Sequence, residues 1–150
     1  MKTLADTAHL YMIIGVISGL YYREITKIEH FTGQTQLGVV HTHVLALGML
    51  FFLIVLALEK QFTLSARKSL YDWFFRLYNS GLAISVAAMT VHGTRTVLGK
   101  SSGEAIALGA GLGHILLTAG LILFFITLGK SIEDSRTPRT TTDLDVQETL

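Results

Sequence analysis

The chain has 150 residues, 50% of them hydrophobic, and only 15% are charged, against about 25% in an average soluble domain. A formal charge of +1 and a pI near 8.1 are too mild for a nucleic-acid partner. Zero Cys excludes disulfides, thiolate metal sites, iron–sulfur clusters, Cys nucleophiles and covalent haem attachment.

In chain order, four apolar stretches cover residues 10–22, 37–58, 77–98 and 105–128. A bilayer core needs about 20 helical residues, which the last three supply and the first reaches if 7–10 extend it. None alternates with period two, so a β-barrel is not expected. Residues 21–24, Tyr-Tyr-Arg-Glu, make a poor small-residue cleavage site, so the first stretch reads as a retained helix and not a signal peptide. Polar connectors at 23–36, 59–76 and 99–104 are short, which favours an all-α, integral membrane, up-down four-helix bundle over residues 1–131. Gly15-x-x-x-Gly19 and Gly109-x-x-x-Gly113 are spaced for close helix approach. Residues 132–150 are rich in Thr and acids and read as a disordered tail.

Lys2, Lys60, Arg67, Lys68, Lys130, Arg136 and Arg139 fall on the side of the termini, with Arg76 at the edge of the third stretch. Arg23, Lys27, Arg95 and Lys100 fall on the other, so the positive-inside rule places both termini in the cytoplasm.

Histidines carry the chemistry. His9 and His30 lie at solvated ends, whereas His41, His43, His92 and His114 lie inside apolar spans. Ionisable groups there are costly and usually functional. At about 1.5 Å per residue, these four sit roughly 6–14 Å in from the outer ends of their helices, within one half of the bundle. His41 and His43 are about 200° apart, so they face opposite sides of one helix. Beside His114, Ala107, Ala110 and Gly111 leave a bare strip, and Gly48 follows His41 by seven residues on the same face.

A b-type haem requires axial imidazoles, a flat apolar slot and cations near its propionates. The His residues, the small residues beside them, and Arg23 and Arg95 at the rim meet that description. An all-imidazole zinc or copper site remains open, as do structural His that hydrogen-bond to Ser85, Thr90, Thr94 and Thr118. Nothing resembles a hydrolytic triad or a phosphate-binding loop.

The string H-T-H-V-L-A-L-G, His41 to Gly48, resembles the H-x-H-x-x-A-L-G motif of the haem–copper oxidase catalytic subunit. There the first His ligates the high-spin haem and the second the low-spin haem. The segment G-H-I-L-L-T, Gly113 to Thr118, resembles the helix that supplies the other low-spin ligand. The resemblance implies that His43 and His114 form the low-spin pair and that His41 serves a second centre. Because the further His that hold copper are missing, it does not extend to oxygen reduction. Residues 5–130, notably Phe31 to His43 and the run from Gly113, are also similar to a family of small four-span bacterial membrane proteins of unknown function. Together these imply a multi-pass protein of a bacterial plasma membrane, with one haem b per chain, or two if His41 holds its own. Its expected role is electron transfer or response to a gas ligand such as O₂ or NO. Haem handling and storage, or a non-haem interaction role, are the alternatives. The bilayer and haem are the expected partners, and the small bundle leaves surface for a homodimer. Tyr21 and Tyr22 lie beside Arg23 at the outer rim, and the polar run Phe31 to Gln36 is placed to cap the second helix or cover the cofactor.

Overall fold

The computed structural model describes residues 1–101 and 103–136 and, among them, contains four long helices and no strand. Helix α1 spans Lys2–Ile28, α2 Leu37–Phe62, α3 Lys68–Val97 and α4 Glu104–Arg136. Each overruns its apolar stretch, because a helical ladder can continue into the solvated interface, where Lys2, Lys27 and Glu104 are exposed. Helix α4 thus runs past residue 131, and residues 137–150 of the expected tail lie outside the described residues.

Helices α1, α2 and α4 are long and apolar enough to cross a membrane. Helix α3 is 30 residues long but falls outside that class. Its polarity is largely satisfied from within. Thr90, Thr94 and Thr96 donate to the carbonyls of Val86, Thr90 and His92 at 2.8, 2.7 and 3.0 Å, and such bonds lower the cost of a hydroxyl in apolar surroundings.

Neighbouring helices are antiparallel, as the paired positions show. On α1, Gly15 meets Leu45 and Gly19 meets His41. Leu37 of α2 packs on Gly93 of α3, and the Tyr78 hydroxyl of α3 donates to the Leu47 carbonyl at 2.8 Å. Helices α3 and α4 touch backbone to backbone. A Cβ added at Gly81 would lie 2.8 Å from the Gly113 carbonyl, and one at Gly120 would lie 2.8 Å from the Tyr78 backbone. Close approach on α4 therefore uses Gly113 and Gly120, while Gly109 of the expected pair has nothing within 4 Å.

Helix α2 changes pitch midway. Leu37–His43 and Phe51–Phe62 are α-helical, and Val44–Leu50 between them is a π-helical segment. Such segments loosen the ladder and free a carbonyl, and here Tyr78 takes up that of Leu47. The helix stops at Thr63 in the left-handed region (φ 51°). The buried Glu59 carboxylate then accepts from both the amide and the hydroxyl of Ser65, which fixes the turn into α3.

At this end of the molecule, where α1 begins and α4 ends (the proximal end), aromatic rings fill the centre. Phe51 stacks on Tyr78 at 4.2 Å between centroids and meets Phe124 edge-on at 5.3 Å. Phe74 and Phe52 close the cluster, and Tyr11 of α1 stacks on Phe52. Arg67 adds a bidentate pair with Asp134 near the end of α4.

Substitutions at two α4-facing and open glycines should separate contact from composition. Gly81→Ala drives a methyl into α4 and is expected to cost about 1–3 kcal/mol, whereas Gly109→Ala is expected to be neutral or slightly stabilising. Thermal unfolding in detergent of the two variants measures the difference, and equal midpoints would contradict the packing described.

Candidate cofactor cleft

The aromatic cluster ties α2 to α4 at the proximal end only. Towards the other, distal end, α3 lies between them and forms the floor of an open cleft. One part, about 510 Å³, is bordered by Gln36 before α2, by Ala88 and His92 of α3, and by Ile106, Ala107 and Ala110 of α4. An adjoining part of about 330 Å³ shares Gln36 and His92 and adds Gln34, Val39 and Thr96.

Helical register places two more imidazoles one turn beyond residues that border the cleft. His43 follows Val39 by one turn on α2, and His114 follows Ala110 by one turn on α4. Both are exposed. Their geometry is also the same: Nδ1 of His43 lies 2.9 Å from the Val39 carbonyl, and Nδ1 of His114 lies 2.7 Å from the Ala110 carbonyl. A carbonyl only accepts, so each Nδ1 is the protonated nitrogen and each Nε2 keeps a lone pair. That is the tautomer and orientation in which a histidine ligates a metal. Beside His114 the surface is bare, since Gly111 has nothing within 4 Å of a Cβ position.

His41 takes the opposite side of α2, as its two-residue separation from His43 requires. It packs on Gly19 of α1, half-buried, with Nδ1 buried and unpartnered and Nε2 3.4 Å from the Thr42 hydroxyl. Gly48 is on that same α1 side, and the Tyr11 ring occupies the space it leaves. His92 on the cleft floor also has a buried Nδ1 without a partner. His9 and His30 are exposed.

Neither expected rim cation borders the cleft. Arg23 is exposed at the end of α1, 3.8 Å from Glu24, and Arg95 donates Nε to the Ser101 carbonyl at 2.9 Å. The cleft mouth is instead polar, built from Gln34, Gln36 and Thr96, with the exposed Glu104 carboxylate on the border of the larger part. The polar run Phe31 to Gln36 held that information, because its Thr35 hydroxyl donates to the Gly93 carbonyl at 2.9 Å and fastens the connector over α3. Among the described residues no group of three or more His, Asp or Glu converges to hold a metal ion by itself.

Residues 1–131 match the family described as a protein of unknown function, DUF2871. The chain belongs to that family. No curated protein and no solved structure matches the chain. For this member of DUF2871, the residues of the cleft are therefore the direct guide to activity.

The connector makes a local test. Thr35→Val removes the bond to Gly93 at a cost of about 1 kcal/mol. Faster amide exchange across residues 31–37, with α3 and α4 unchanged, is the expected result in hydrogen-exchange mass spectrometry.

Proposed function

We propose that this protein is an integral membrane b-type cytochrome of the bacterial plasma membrane, with four spans, cytoplasmic termini and a haem held in the distal cleft by His43 and His114. One observation carries the reading. Two exposed imidazoles, one on α2 and one on α4, each have Nδ1 held by the carbonyl one turn back and Nε2 without a partner. An exposed histidine within an apolar span is costly unless a ligand or partner covers it, and a flat macrocycle with axial positions above and below covers both. Ala107, Ala110 and Gly111 provide the flush apolar wall that such a ring requires.

The chain's own contribution is binding and orientation. The two i−4 carbonyls set the imidazole planes and raise their basicity. Gln36 and Thr96 offer hydrogen-bonding groups at the mouth, where propionates would meet water, in place of guanidinium groups, with His92 on the floor and the Glu104 carboxylate on the border. The apolar walls exclude water from the ligand nitrogens. A haem held by both His43 and His114 would supply one-electron transfer and would offer no ligand place to a gas. Electron transfer is therefore preferred to gas sensing.

The decisive measurement is the reduced-minus-oxidised absorption spectrum of protein purified in detergent from haem-replete cells. Sharp reduced α and β bands, insensitive to CO, are expected. His43→Ala and His114→Ala should each lose most of the bound haem or convert it to a CO-binding form. His9→Ala should retain the original spectrum. A colourless wild-type protein, or equal retention in all three variants, would overturn the reading.

A further inference from the structure

A second cavity lies at the proximal end, on the outer face of α3, away from the haem cleft. It measures about 400 Å³ and is bordered by Lys68, Ser69, Asp72, Trp73 and Arg76. Lys68 and Arg76 are exposed and form no ion pair among the described residues. Trp73 between them is 56% exposed, although burial or hydrogen bonding is its usual fate in a folded chain. Asp72, the one acid present, is half-buried, and both it and Arg76 also border the neighbouring cavity with Glu59 and Tyr71. Burial, followed by those two carboxylates, pushes the Tyr71 hydroxyl up to about 12.

From this cavity the same face of α3 continues through Ser80, Ala83 and Ala87, all exposed and all small. The face therefore has two unpartnered cations and an indole at the membrane interface, then a shallow track along the helix. We infer that this face holds an anionic phospholipid, its phosphate between Lys68 and Arg76, its glycerol region against Trp73 and one acyl chain along Ser80, Ala83 and Ala87. Trp is favoured at the depth of lipid headgroups, and the cytoplasmic leaflet carries the anionic lipid that basic clusters attract. A free phosphate ion would use the cations alone and leave both the indole and the small-residue track unexplained.

The chain contains a single Trp, so intrinsic fluorescence reads this site alone. The full chain in neutral detergent micelles is titrated with brominated phosphatidylglycerol and, separately, with brominated phosphatidylcholine. Stronger quenching of Trp73 by the anionic lipid is expected. The paired variant Lys68→Gln with Arg76→Gln should reduce that preference roughly tenfold. Lys60→Gln with Lys130→Gln removes the same charge from exposed positions at the same end and should preserve it. Circular dichroism checks that both pairs keep the wild-type helix content. Equal quenching by the two lipids, equal loss in the two paired variants, or a Trp73 response to inorganic phosphate alone would each overturn the assignment. None of these readings depends on haem.

Discussion

Tyr78 is the point at which α2, α3 and α4 are held together. Its ring stacks on Phe51, its backbone lies against Gly120, and its hydroxyl satisfies a carbonyl in the π-helical segment of α2. In an apolar medium that last bond matters most, because a freed carbonyl has no water to turn to. Meeting the need at Leu47 pins α2 to α3 at mid-length. The Phe51, Phe74 and Phe124 rings then draw in α4 on the proximal side, and among the described residues no ring contact joins α2 to α4 on the distal side. The cleft follows from where the aromatic residues stop.

This arrangement explains the division between the histidines. His41, facing α1, lies against Gly19 of that helix. His43 and His114 are left exposed, each with its Nδ1 already held by a carbonyl. The π-helical segment begins at Val44, immediately after His43. It lets α2 bury Val40, Val44, Gly48 and Phe52, four residues apart each time, along one continuous line. In an ideal α-helix, four-residue steps overshoot a full turn by about 40° each, so the line would wander off the interface.

Much of this was legible in the residues. Apolar stretches marked the helices, two-residue spacing separated His41 from His43, and the small residues beside His114 marked an open wall. Other features depend on partners that local patterns do not reveal. Gly109 and Gly113 look alike in sequence, yet only Gly113 faces Ser85 and Gly81. Arg95 was expected at the cofactor rim, and the bond from its Nε to the Ser101 carbonyl was not readable from spacing. The four-residue run from Val40 to Phe52 was a readable sign of the wide turn, but its meaning required Tyr11 on one side and Tyr78 on the other.

Helix α3 differs in character from its three neighbours. It is the least apolar of the four, and it contacts α1 and α2 through side-chain hydroxyls and α4 through aromatic rings and glycine backbone. Tyr11 and Tyr21 of α1 reach Asn79 and Thr94 on it, at 2.8 and 3.0 Å. A wholly apolar α3 would suit lipid better but would forfeit those bonds, the Tyr78 link and the polar floor at His92. Shielding by its three neighbours makes the polarity tolerable, and one exposed edge remains. That edge is lined by Ser80, Ala83 and Ala87, side chains small enough for a hydrocarbon chain to lie close to the helix.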